Sequence, residues 1–188
     1  MENFFKNGTE NQIQVLHGNQ VLQRFSEILI NHENRPFHLK YVCRAIANIV
    51  NYRSSQIQRM VDAAIFPPII QISINQEVGD TKNEAMYAIS IAARRGSHEQ
   101  IRHLVDHGSI AVLSRGLLCE GYTRRASCFH GLRSILRVGE AHKVDGVNIY
   151  TQMVTENGGL ARIKSQRDDP DVGGIARRLL SSYWPGEV

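Results

Sequence analysis

The sequence predicts an all-α protein, a right-handed solenoid of about three full repeats and a shorter closing one, and two registers of internal repetition carry that reading. Gln12-Ile13-Gln14-Val15-Leu16 recurs as Gln56-Ile57-Gln58-Arg59-Met60 and again as Gln100-Ile101-Arg102-His103-Leu104, 44 residues apart each time. Arg44-Ala45-Ile46-Ala47-Asn48-Ile49 lines up with Tyr87-Ala88-Ile89-Ser90-Ile91-Ala92 and with His130-Gly131-Leu132-Arg133-Ser134-Ile135, 43 apart each time. Two anchors keeping nearly one period mark a repeat architecture. Strand signals are absent: there is no sustained period-2 alternation and no Asn-Gly turn between alternating apolar runs.

Within each unit the pattern is helical. Ile57, Met60 and Val61 fall at i, i+3 and i+4, as do Ile101, Leu104 and Val105, so each first helix carries one apolar stripe. Asp62-Ala63-Ala64 and Asp106-His107-Gly108 read as tight breaks, with Gly108 supplying a left-handed cap. A second helix starts near Phe66 or Ile110, and Pro67 suits its first turn, where a missing N–H costs nothing. A longer third helix carries Ala85, Ala88, Ile89 and Ala92, small enough for close packing between units. Ile57, Ile89, Leu104, Leu132 and Leu136 are the expected core. A period of about 40–47 residues with two or three helices per unit is the signature of HEAT and armadillo solenoids. The units fall at 10–53, 54–96, 97–140 and, for the shorter closing one, 141–184, after a disordered segment 1–9 and before a tail 185–188. The first unit has no polar cap before it, so its upstream face is expected to expose apolar surface and favour self-association.

Composition fits a folded domain: 42% of the 188 residues are apolar and 21% charged, far from the composition of disordered chains. The longest apolar run, broken by Pro67-Pro68, is too short to cross a membrane. The amino terminus lacks the features of a secretory or transit signal, which points to cytoplasm and nucleus. Cys43, Cys119 and Cys128 form no C-x-x-C and read as small buried apolar residues. Charge is uneven: residues 94–137 carry eight Arg against Glu99, Asp106 and Glu120, a local +5, whereas residues 1–93 cancel.

Glu84-Ala85-Met86-Tyr87-Ala88-Ile89-Ser90, Gly96-Ser97-His98-Glu99-Gln100-Ile101-Arg102-His103-Leu104-Val105 and Gly131-Leu132-Arg133-Ser134-Ile135-Leu136-Arg137-Val138-Gly139-Glu140, with a closing Tyr183-Trp184, resemble the carboxy-terminal armadillo repeats of importin-α, especially plant forms. The resemblance covers about residues 8–184. It implies a nuclear-import adaptor whose groove binds the Lys/Arg-rich localisation signal of a cargo. In that family each groove helix offers a Trp and, four residues later, an Asn. The ring stacks on a lysine, and the amide holds the peptide backbone. Here the Trp positions read Arg44, Tyr87 and His130, and the Asn positions read Asn48, Ile91 and Ser134. Asn48 and Tyr87 keep part of the chemistry, and Glu84 matches a groove carboxylate that pairs with a cargo lysine. Arg44 puts a cation where a ring should attract one, and Tyr41 stands at the equivalent of Glu84 one unit earlier. The resemblance therefore implies weak binding of localisation-signal cargo in a degraded groove. It also allows an export receptor at the carboxy-terminal repeats, and leaves importin-β doubtful because its basic binding segment is not matched.

Other features carry less. His103 and His107 are spaced to seat a metal, but no third ligand accompanies them. His98-Glu99 starts like a zinc-protease motif, yet Arg102 stands where its second His belongs. Arg124-Arg125-Ala126-Ser127 matches a basophilic-kinase site. Gly158-Gly159 and Gly173-Gly174 read as helix breaks. The pairs Arg94-Arg95, Arg124-Arg125 and Arg177-Arg178 allow a basic solenoid for an acidic partner or nucleic acid, with nucleic acid disfavoured by the scarcity of interleaved aromatics. No catalytic constellation stands out, so neither an enzyme nor a cofactor is expected. The alternative to an import adaptor is an armadillo-type interaction module that no longer carries import cargo.

Overall fold

The structure is a computed structural model that describes residues 19–31, 36–52, 55–74 and 79–187. The expectations for segment 1–9 and for an apolar upstream face fall on residues 1–18, outside the described residues. The first unit is represented by α1 (Asn19–Ile30) and α2 (Pro36–Tyr52). Three helix triplets follow: α3 (Ser55–Asp62), α4 (Phe66–Ile74) and α5 (Gly79–Arg95); α6 (His98–Asp106), α7 (Ser109–Gly116) and α8 (Tyr122–Ala141); α9 (Ile149–Glu156), α10 (Gly159–Ser165) and α11 (Gly173–Tyr183). A 3-10 turn, Pro185–Glu187, ends the described chain. Among the described residues the only bridge pairing is the isolated Val144–Val147 contact, and no helix is long and apolar enough to cross a membrane.

Local chemistry explains the breaks. Gly108 and Gly158 adopt φ of 97° and 70° just before α7 and α10, a left-handed backbone that costs an L side chain about 1–2 kcal/mol. Ala64 takes the same turn at φ 50° in the equivalent place before α4, without glycine's freedom. The recurring Gln has a structural task in α6. Ser97 accepts a hydrogen bond from the Gln100 amide while the Gln100 side chain accepts one from the Ser97 amide, which closes a capping box. The Gln100 side-chain amide also donates to Gln58 of the preceding unit.

Long helices α2, α5 and α8 lie side by side with α5 in the middle, and the short helices stack behind them, α3 on α6 and α4 on α7. Ile57, Ile89, Leu104, Leu132 and Leu136 are all buried in one continuous core. Small residues set the close approach of the long helices. A Cβ on Gly131 of α8 would stand 3.3 Å from the Ser90 carbonyl of α5. Cys43 and Cys128 are buried and Cys119 half-buried, all three as free thiols.

Candidate functional site

Because α2, α5 and α8 are parallel neighbours, residues about one repeat apart meet across them. Arg44 of α2, Glu84 of α5 and Arg124 of α8 converge at the floor of a cleft of about 480 Å³. The Glu84 side chain is only 5% exposed, and its Oε1 accepts hydrogen bonds from Arg44 Nη2 at 2.7 Å and Arg124 Nη2 at 3.0 Å. Burial pushes this carboxyl up, but the hydrogen bonds and charges of Arg44 and Arg124 together outweigh it and hold the group below the usual carboxylate range. Burial, and secondarily the Glu84 charge, push the nearby Cys43 thiol up to about 12. At the edge of the cleft Lys40 pairs with Asp80. That contact, hydrogen bond first, holds the exposed Asp80 carboxyl low.

Asn48 and Tyr87 line the same cleft, so four of the residues singled out in the sequence, Arg44, Asn48, Glu84 and Tyr87, stand together. Ile91, four residues after Tyr87, is fully buried in the core and does not line the cleft. His130 and Ser134 are half-buried further along α8. The His130 imidazole is held below its ordinary value by burial first and then by the Arg94 and Arg133 charges. Arg94 in turn donates to Asn51 of α2 at 3.4 Å.

Gly121, Tyr122, Thr123 and Arg124 complete the cleft wall, and the sequence reading did not place them there. A signal for Arg124 existed. Lys40–Asp80, Arg44–Glu84 and Glu84–Arg124 are each separated by 40 residues. That is three residues, about one helical turn, short of the 43-residue register. The first turn of α8 at this wall holds no acidic residue, and its N-cap, Gly121, provides no capping side chain.

Elsewhere, Ser127 of the kinase-like motif is 5% exposed and buried in α8. The His103 and His107 rings lie 4.3 Å apart, tilted 45° to one another, with His107 Nδ1 2.7 Å from the His103 carbonyl oxygen. No group of three or more His, Cys, Asp or Glu among the described residues gathers as a metal site would require. Gly158 caps α10 and Gly159 begins it, and Gly173 and Gly174 begin α11.

The order and stacking of these helices define an armadillo-repeat solenoid. A designed armadillo repeat protein solved in complex with the peptide (KR)4 superimposes with a TM-score of 0.71 at 20% identity, over 97% of this chain and 80% of that one. A computationally designed armadillo protein for modular peptide recognition superimposes with a TM-score of 0.73 at 23% identity, over 93% of this chain and 69% of that one. No family model matches the chain. In sequence the chain is similar to plant importin-α subunits, as its motifs implied. It is 34% identical to importin subunit alpha-4 of Arabidopsis thaliana over 79% of its own length and 28% of the relative's. It is 35% identical to importin subunit alpha-1b of rice, Oryza sativa subsp. japonica, over 96% of its own length and 42% of the relative's, and 33% identical to rice alpha-1a over 96% and 35%. The chain thus spans between about a quarter and two fifths of these relatives.

Proposed function

We propose that the chain is a non-enzymatic importin-α-like adaptor module, working in cytoplasm and nucleus, that binds an extended peptide in the cleft between α2, α5 and α8. Its recognition of Lys/Arg-rich localisation signals is degraded. The observation that carries this reading is the occupation of Glu84: the carboxylate that would receive a cargo lysine already receives Arg44 and Arg124. An incoming lysine must displace a part-buried guanidinium and then sit beside it. At the Trp positions Arg44 supplies no stacking face and His130 a small one, each a loss of about 0.5–2 kcal/mol of cation–π energy. The relatives' name and the peptide complex of the designed armadillo protein support the peptide-adaptor part of the reading.

The test is a fluorescence-polarisation titration with a basic localisation peptide, on the unmodified chain and on an Arg44→Trp variant that restores an aromatic face and removes one cation from Glu84 while Arg124 keeps the buried carboxylate paired. The variant is expected to bind at least about tenfold more tightly, equivalent to ~1.4 kcal/mol. Tight binding by the unmodified chain overturns the degraded groove.

A further inference from the structure

Three exposed arginines, Arg94, Arg133 and Arg137, gather toward the carboxy-terminal ends of α5 and α8. Side chains of neighbouring long helices meet at two separations in this layer. One is 40 residues, for Lys40–Asp80, Arg44–Glu84 and Glu84–Arg124, and the other is 43, for Asn51, which accepts a hydrogen bond from Arg94. Carried on from Arg94, the longer separation arrives at Arg137 and the shorter one, within a residue, at Arg133. Contacts at the shorter separation elsewhere join opposite charges. Here the charges are alike, and Arg94 and Arg133 both act on the half-buried His130. Arg133 and Arg137 stand at i and i+4 of α8, a spacing at which like charges cost a helix stability. Among the described residues neither of them makes a hydrogen bond or an ion pair. On the other side α8 packs on α11, whose half-buried Tyr183 feels the charges of Glu140, Arg133 and Arg137. Glu140 itself pairs with Lys143.

We propose that this surface binds an acidic segment of a partner protein, with Asp or Glu side chains of the partner paired to Arg133 and Arg137 and reached by Arg94. It is separate from the cleft at Glu84 and does not depend on how that cleft is read. Charge complementarity selects the occupant. A carboxylate matches a guanidinium in charge and in fork geometry, and its arrival replaces repulsion among the arginines with a shared attraction. Spacing agrees. Residues four apart on α8 lie about 6 Å from one another, and alternate side chains of an extended segment about 7 Å. Two acidic residues with one residue between them therefore meet Arg133 and Arg137 together. The Tyr183 hydroxyl, near the same charges, is a further donor for a carboxylate. The geometry favours a peptide over a nucleic acid. A nucleic-acid backbone carries charge at every step and draws its affinity from many phosphate contacts. Here the arginines span one helical turn and one helix-to-helix step, and the Glu140–Lys143 pair closes the row with a carboxylate.

The experiment is an anisotropy titration of the full chain with a labelled peptide in which Glu alternates with neutral residues, a Lys-rich peptide of the same length and a single-stranded oligonucleotide. The Glu peptide is expected to bind best, and more weakly as salt is raised. Arg133→Gln/Arg137→Gln is expected to weaken it about tenfold while the thermal melt stays in place. Arg24→Gln/Arg102→Gln removes the same charge from exposed positions on α1 and α6, and is expected to leave the affinity within about twofold. Arg133→Glu/Arg137→Glu is expected to transfer the preference to the Lys-rich peptide. Equal weakening by the two glutamine variants assigns the binding to net charge and overturns the proposal. Binding of the Glu peptide that Arg133→Gln/Arg137→Gln leaves unchanged places it elsewhere and overturns it as well. So does preference of the unmodified chain for the oligonucleotide or the Lys-rich peptide, or failure of the Glu peptide to bind.

Discussion

Two cationic centres lie along the α2–α5–α8 layer, and they are built on opposite terms. At one, Arg44 and Arg124 reach from flanking helices onto the buried Glu84 of the helix between them. At the other, the charges that act on the half-buried His130 are those of the exposed Arg94 and Arg133. The first centre ties three repeats together, and its charges are committed to the fold as well as to any ligand. The second is a surface whose charges repel one another and whose imidazole is pushed toward its neutral form, by burial first and then by those charges. Basic residues along one layer of helices can therefore be clamps in one place and solvated groups in another: the part-buried Arg44 and Arg124 meet a buried acid, whereas Arg94 and Arg133 are exposed.

The largest expected effect breaks the clamp. Arg44→Gln/Arg124→Gln strands Glu84 as an uncompensated buried carboxylate, and a loss of about 3–5 kcal/mol is expected in urea unfolding. The same paired change at Arg94 and Arg133 is expected to cost far less, and an equal loss there would erase the distinction. Glu84→Gln is the next step down. It keeps the shape, and the two arginines retain partial access to solvent, so about 1–3 kcal/mol is expected to be lost.

The pH dependence separates the centres further. The folded state depresses the Glu84 carboxyl, so its contribution is complete above the unfolded value of about 4.3 and is lost as pH falls through the folded value. His130 is also depressed, so its neutral-state contribution is complete above about 6.5 and fades on acidification through a lower value. Urea midpoints measured against pH are thus expected to show two windows. His130→Gln makes the one below about pH 6.5 shallower, His103 being depressed as well, and Glu84→Gln makes the one below about pH 4.5 shallower, other depressed carboxyls remaining there. If one substitution removes both, the two centres act as a single unit. The smallest effect is that of Arg133→Gln alone, expected within about 0.5 kcal/mol of the unmodified chain by thermal melting, as for an exposed side chain outside a network.

Much of the architecture was legible before the structure. The 43-residue register aligned Arg44, Tyr87 and His130, and apolar spacing marked Ile57, Leu104 and Leu132 for the core, where they lie. The site was only partly legible. Asn48, Glu84 and Tyr87 share the cleft, but Ile91 in the same register is buried, because α5 packs between α2 and α8 and the run from Ser90 to Ala93 is fully enclosed there. Arg124 was missed because repeat alignment compares equivalent positions, whereas side chains touch across neighbouring helices one turn out of register.

Sequence by itself determined what depends on local periodicity: helices, breaks, the stacking repeat and the identity of the buried stripe, since each follows from which residues recur at helical spacing within a short window. Only the tertiary structure decided that Arg44 pairs with Glu84 rather than repelling a ligand unaided, and that Arg124 joins it from the other side. The physical reason is that an ion pair forms between ångström-scale positions on separate helices. The sequence fixes no distance between atoms 40 residues apart until the helices have packed.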